Sequence, residues 1–167
     1  MKKQHKITEI LKVIKLQNIM HIVTIFGVIF GLVQFKHVKE IESARLIVEF
    51  NNQLRNNDHN YSKIIDAIGN NDPLLKPMGK FTEGQIDNYL VEWELINNFY
   101  DHSLISQETL YDAFAYDIEK AYCNREIRQY MAKVRRNENN ADMYGGFEEI
   151  SKKFLAIDKE GCPGKEK

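Results

Sequence analysis

The sequence predicts an all-α protein in which a single N-terminal transmembrane helix continues into a stalk and then into a small helical bundle. Twenty consecutive residues, 16–35, carry no formal charge when His21 is neutral. Beyond them, apolar residues recur at helical spacings of three and four. No stretch alternates apolar and polar residues for long enough to indicate a strand.

The first 35 residues are more basic than the rest of the chain. They hold five of the 23 basic residues but one of the 24 acidic residues. Lysines lie between apolar residues at helical spacing in 1–15, which predicts a basic amphipathic segment on an anionic leaflet. The apolar residues at this spacing are Ile7, Ile10, Leu11 and Ile14.

The uncharged segment 16–35 has the length of a bilayer core, because 20 residues at 1.5 Å each span about 30 Å. Thirteen of these residues are strongly apolar, and Lys15 and Lys36 can extend their ammonium groups to the two interfaces. A soluble core helix usually carries charge on one face. A cleaved signal peptide needs a small-residue cleavage site, which "VQFKHVKEIESA" does not resemble. We therefore predict a transmembrane helix.

Small and polar residues within the span recur at spacings of 4, 3, 3, 4 and 3, which places them on one stripe of a helix. Lipid tails offer polar groups no hydrogen bonds, so such a stripe is expected to face protein. We predict that it is the interface of a homo-oligomer; the alternative is a monomeric span with incidental glycines. The predicted interface residues are Gln17, His21, Thr24, Gly27, Gly31 and Gln34.

The lysines before the span favour a cytoplasmic N-terminus by the positive-inside rule. Five lysines precede the span, and Lys36 and Lys39 follow it closely. When Arg45 and Arg55 are included, five basic residues precede the span and four follow it. The side of the membrane that holds residues 36–167 therefore stays open.

The segment 36–157 is predicted to form the stalk and the helical domain. The first helix continues to about Leu54, and a short helix near 62–68 precedes a loop with two of the three prolines. Thr82 and Gln85 fit a capping box for the next helix. Its predicted core face holds Ile86, Leu90, Trp93 and Tyr100, widened by Val91, Leu95 and Phe99.

Three further helices are predicted from apolar residues at helical spacing. The first begins after Ser106, the second runs to the sequence "RRNENN", and the third follows "YGG". Their predicted core residues are Leu110, Phe114, Ile118 and Tyr122; Ile127, Met131 and Val134; and Phe147, Ile150 and Phe154.

The two cysteines show no metal-ligand spacing, and two are too few for a disulfide framework. We expect a buried thiol at Cys123 and a free thiol at Cys162. The alternative is a single bridge in an oxidising compartment. The tail, 158–167, is polar and is expected to be disordered.

No catalytic, cofactor-binding or metal-binding residue is predicted. His37 and Glu40 are expected to form a solvated pair, and Asp101-His102-Ser103 a helix end, because adjacent residues cannot converge on one substrate atom. Glu92 lies in the most apolar helix, where burial would alter its pKa. We expect it to form an ion pair with a residue across the bundle, either Arg125 or Arg128.

The chain resembles uncharacterised bacterial domain-of-unknown-function proteins that carry one membrane helix, a stalk and a helical domain. The segment with the resemblance is "YLVEWELINNFYDHSLISQETLYDAF", 89–114. The resemblance is one of pattern and supplies no catalytic residues. It implies a membrane-anchored protein, which we expect in the inner membrane of a bacterial cell.

These patterns predict a single-pass membrane-anchored helical interaction or assembly module that is not an enzyme. The expected partners are the lipid bilayer, a second copy of the chain and an unidentified protein. The net charge of −1 argues against nucleic acid. The alternative function is a membrane-active effector, of the toxin or defence type, that acts through oligomerised spans. An enzyme, with Glu92 as the residue to test, is the third alternative.

Overall fold

The computed structural model describes residues 2–55, 60–159 and 161–162, and of these only the backbone for 2–19, 22 and 23. The chain divides into two compact units, residues 1–41 and 42–167. Within the described residues the secondary structure is helical, apart from one isolated bridge between Leu75 and Phe81. The all-α prediction is confirmed. The helices are α1 (Lys2–Arg55), α2 (Tyr61–Gly69), α3 (Glu83–Asp101), α4 (Gln107–Cys123), α5 (Arg125–Asn137) and α6 (Gly145–Asp158).

Polar side chains fix where three of the helices begin. The predicted capping box is present at α3: Thr82 accepts from the Gln85 N–H, and the Gln85 side chain accepts from the Thr82 N–H. Ser106 and Asn124 cap α4 and α5 through their side-chain oxygens, which accept hydrogen bonds from N–H groups of the first turn. Each cap satisfies backbone donors that the first turn of a helix leaves unpaired.

The core of the second unit is built around the single tryptophan. Trp93 on α3 is fully buried, and its ring lies 5.5 Å from that of Phe50 and 5.7 Å from that of Phe114, both edge to face. Phe50 belongs to α1 and Phe114 to α4. Edge-to-face aromatic pairs add to the free energy gained from burial. The end of α1 is therefore an integral part of the bundle.

The predicted core face of α3 is wrong at two residues. Val91 and Leu95 do not widen the buried face of α3; they are 49% and 41% exposed. Each lies two residues from Trp93, a rotation of about 200° around a helix, so both point away from the core. Tyr89 and Ile96 are fully buried in their place.

The prediction that both cysteines are free thiols is also wrong. Cys123 and Cys162 form a disulfide with their Cα atoms 5.0 Å apart, and no free cysteine lies among the described residues. Asp158, assigned to the tail, is the last residue of α6, and Cys162 is buried. Residues 160 and 163–167 of the predicted disordered tail lie outside the described part.

Candidate functional site

The apolar part of α1 exposes large side chains on every side of the helix. From Met20 to Phe35 the described large apolar residues are between 52% and 71% exposed. A helix that is hydrophobic all round is normally buried, and large exposed apolar patches mark membrane or protein contact sites. The exposed residues are Met20, Ile25, Phe26, Val28, Ile29, Phe30, Leu32, Val33 and Phe35.

The predicted interface residues lie on this helix. His21, Thr24 and Gln34 are exposed. A Cβ atom built on Gly27 or Gly31 would meet no heavy atom within 4 Å. The Gln17 side chain lies outside the described residues. In the single chain, the described residues of the stripe are therefore exposed and have room for a contact with another helix.

Thr24 has a local hydrogen bond within this helix. Its hydroxyl donates to the Met20 carbonyl oxygen at 2.9 Å. This bond to the preceding turn satisfies the hydroxyl without a partner from elsewhere in the chain. Thr24 can therefore lie in apolar surroundings without an unpaired donor.

Within the part of the chain that the structure describes, no helix is both long and apolar enough to cross a membrane. The side chains of residues 16–19, 22 and 23, which belong to the predicted span, lie outside that part.

Glu92 does not pair with Arg125 or Arg128, contrary to the expectation. Its carboxylate accepts a hydrogen bond from the Gln53 amide at 2.8 Å and one from the Tyr61 hydroxyl at 3.4 Å. Burial, followed by the negative charge of the Glu92 carboxylate, raises the pKa of Tyr61. Glu92 therefore connects α3 to α1 and α2 within the second unit.

A carboxylate on α3 also joins two tyrosines. Asp87 accepts hydrogen bonds from the hydroxyls of Tyr130 on α5 and Tyr144 before α6. Burial, followed by the negative charge of Asp87, raises the pKa of Tyr130 to about 12. Burial and the hydrogen bond to Asp87 raise the pKa of Tyr144 as well. Both hydroxyls therefore stay protonated and donate at neutral pH.

Two further glutamates accept hydrogen bonds from the backbone. Glu126, in the first turn of α5, accepts from the N–H groups of Leu74 and Leu75 at 2.9–3.2 Å. Glu94 on α3 accepts from the Phe147 N–H in the first turn of α6 at 2.6 Å. Buried backbone donors need such partners, so both carboxylates have structural roles.

Lys133, Arg135 and Arg136 form a basic run near the end of α5, and two of the three form ion pairs within the chain. Lys133 contacts Glu83, and Arg135 pairs with Glu148 at 2.7 Å. Lys152 also pairs with Glu148, and its hydrogen bond is the main cause that lowers the pKa of Glu148. These pairs reduce the positive charge that this run presents to an external anion.

The remaining candidates for chemistry have local roles. His37 and Glu40 form an exposed pair at 3.8 Å, as expected. Asp101 is the last residue of α3 and His102 its C-cap, which confirms the predicted helix end. Among the described residues, no group of three or more His, Cys, Asp and Glu side chains is placed to hold a metal ion.

Comparison with known proteins gives a family. No curated protein and no solved structure matches the chain. The family model of a domain of unknown function, DUF4760, matches residues 21–154. This confirms the expected resemblance to an uncharacterised domain family. The match covers most of the chain, including residues 21–35 and all of α2 to α5, and the chain belongs to the DUF4760 family.

Proposed function

We propose that the protein is a single-pass membrane-anchored interaction or assembly module that self-associates through one face of its membrane helix. The observation that carries the proposal is the run of exposed apolar side chains on α1. A surface of this kind is unfavourable in water, because each Å² of exposed apolar area costs about 25 cal/mol relative to burial. A bilayer, together with a second copy along one face, would cover such a helix.

The length and flanks of the segment support a span. Residues 16–35, including the six whose side chains lie outside the described part, form 20 uncharged residues between Lys15 and Lys36. The backbone is helical throughout, so its polar groups are paired internally. The family model begins at His21, which makes most of the apolar segment part of the family's domain.

The stripe supports self-association. In an apolar helix, small residues allow two backbones to approach closely, and polar residues can hydrogen-bond across the interface. Gly27 and Gly31 have open space beside them in the single chain. A second copy is the partner that would present the same small residues at the same depth.

Membrane attachment is tested first with the full chain expressed in a bacterial host. The chain should remain in the membrane pellet after alkaline carbonate extraction and should float with vesicles. Release into the supernatant would contradict the anchor.

Self-association is tested by crosslinking in isolated membranes. Gly27→Leu combined with Gly31→Leu should abolish the crosslinked dimer, because the leucines prevent close approach. Ile29→Leu combined with Val33→Leu is the matched control, with the same spacing on the opposite face of the helix. Unchanged crosslinking of the glycine variant would show that the stripe is not the interface.

A second measurement on the same cells separates assembly from membrane damage. Expression of the anchored module should leave the membrane potential unchanged. Depolarisation that requires Gly27 and Gly31 would favour the membrane-active effector instead.

A further inference from the structure

The disulfide bears on which side of the membrane the bundle occupies. Cys123 is the last residue of α4, and Cys162 lies four residues beyond the end of α6. The bond uses both cysteines of the chain and closes a loop with a sequence separation of 39 residues. Cys162 is 8% exposed, so it is buried although it lies beyond the last helix.

Forming this bond requires an oxidising compartment. The two thiols lose two protons and two electrons to a disulfide-containing oxidant, whose own disulfide is reduced to two thiols as the protein S–S bond forms. Thioredoxin and glutathione systems keep cytosolic thiols reduced, whereas periplasmic and extracellular spaces allow disulfides to persist. A structural disulfide therefore indicates a domain outside the cytosol.

From these observations we infer that residues 42–162 lie on the non-cytoplasmic side of the membrane and the lysine-rich N-terminal segment on the cytoplasmic side. The inference rests on the proposed anchor. The lysine distribution favours the same orientation by an independent physical effect, the retention of positive charge on the cytoplasmic side. The disulfide adds to this preference, which is small when Arg45 and Arg55 are included in the count of basic residues after the span.

The orientation also defines the partner. In this orientation the bundle is exposed to molecules of the extracytoplasmic space and is separated from the reductants of the cytosol. A protein that the bundle binds should therefore be secreted or exposed on that side of the membrane.

The redox state is tested on the full chain in cells quenched with acid. Alkylation of the denatured chain should add no label before reduction and two labels after it. Cys123→Ser and Cys162→Ser should each add one label without reduction, which shows that the remaining thiol is accessible to the reagent. Two labels on the unmodified chain before reduction would overturn the inference.

The side of the membrane is tested separately. Protease added to intact spheroplasts should digest the bundle of the unmodified chain but spare an epitope placed before Lys2. Digestion of the epitope with protection of the bundle would overturn the orientation.

A labelling experiment provides a second measurement. In the Cys123→Ser, Cys162→Ser background, a membrane-impermeant maleimide should label Glu138→Cys in intact cells. Lys3→Cys should be labelled only after permeabilisation, and the reverse pattern would overturn the inference.

Failure of the inference can be distinguished from failure of the proposed anchor. Carbonate extraction reports the anchor without regard to side. A chain that stays in the membrane with two free thiols would retain the anchor and overturn the orientation. A chain that is released by carbonate would remove the anchor, whatever its redox state.

Discussion

The hydroxyl of Tyr144 donates a hydrogen bond to the carboxylate of Asp87, and this bond connects the start of α6 to α3. Tyr144 has a left-handed backbone with φ 57° and ψ 30°. For a residue other than glycine this conformation costs roughly 1–2 kcal/mol. Burial of the ring and the bond to Asp87 offset that cost, since Tyr144 is 3% exposed.

Tyr144→Phe should therefore destabilise the bundle by about 1–2 kcal/mol, because Asp87 loses one of its two tyrosine donors. The fluorescence of Trp93, the single tryptophan, can report urea unfolding of the full chain in detergent. Tyr116→Phe is the control, since Tyr116 is 65% exposed, and should change stability little. Equal effects of the two variants would contradict a role for the hydrogen bond.

The raised tyrosine pKa values predict a loss of stability in alkali. Well below pH 10, Tyr130 and Tyr144 are protonated in both the folded and the unfolded chain. Between pH 10 and about 12 the unfolded chain ionises first, because folding raises the pKa of both hydroxyls above the ordinary value of 10.0. The free energy of unfolding should therefore fall over this interval, and less steeply in Tyr144→Phe. A parallel fall in both proteins would exclude a contribution from Tyr144.

Glu126→Ala should destabilise the bundle by about 1–3 kcal/mol, because it removes the acceptor of the Leu74 and Leu75 N–H groups. Glu126→Gln keeps an acceptor oxygen and should cost less. Glu138→Ala, at the exposed end of the same helix, should be nearly neutral. The same denaturant titration measures all three variants, and equal losses for Ala and Gln would show that the acceptor is unimportant.

Neighbouring glycines at the start of α6 should respond oppositely to alanine. A Cβ on Gly146 would lie 2.5 Å from the Asn97 amide nitrogen and 3.0 Å from its Cγ, and Asn97 is buried. Gly146→Ala should therefore lower the unfolding midpoint. Gly145 has no heavy atom within 4 Å of the added Cβ, so Gly145→Ala should be neutral or stabilise by up to about 1 kcal/mol. A destabilising Gly145→Ala together with a neutral Gly146→Ala would refute this packing.

Loss of the disulfide should cost up to about 4 kcal/mol, as the loop-entropy model gives for a separation of 39 residues. Cys123→Ser, Cys162→Ser and the double variant should lose the same stability. Reduction of the unmodified chain should lower it to a similar level. An unfolding midpoint that does not change on reduction would show that the bond does not stabilise the bundle.

The sequence was sufficient to predict the helices of the bundle because their signals are local. The capping box of Thr82 and Gln85 lies within four residues, and the spacing of Leu110, Phe114 and Ile118 repeats on a single helix. Val91 and Leu95 were predicted to widen the core face of α3 but are exposed, whereas Tyr89 and Ile96, which that face left out, are buried. Which arc of a helix is buried depends on its neighbours, and periodicity does not specify them.

The contacts that join the helices were not predictable in the same way. Glu92 meets Gln53 and Tyr61, which lie 39 and 31 positions away, and no local pattern selects them over Arg125 or Arg128. The partners of Glu126 and Glu94 are backbone N–H groups, which every residue except proline possesses. The pairing of Cys123 with Cys162 depends on where the chain goes after α6. Of the predicted interface, the open space beside Gly27 and Gly31 fits the stripe, and the self-association itself stays a prediction.

The disulfide would hold together the two fragments of a chain that a protease cleaves between its cysteines. The turn after α5, residues 138–142, is exposed and lies between the two cysteines. A protease that cleaves there leaves α6 covalently attached to the end of α4. The nicked protein would migrate as one species on a non-reducing gel and separate into two fragments only with a reductant. Shedding of the C-terminal helix would therefore require two chemical events, one hydrolytic and one reductive.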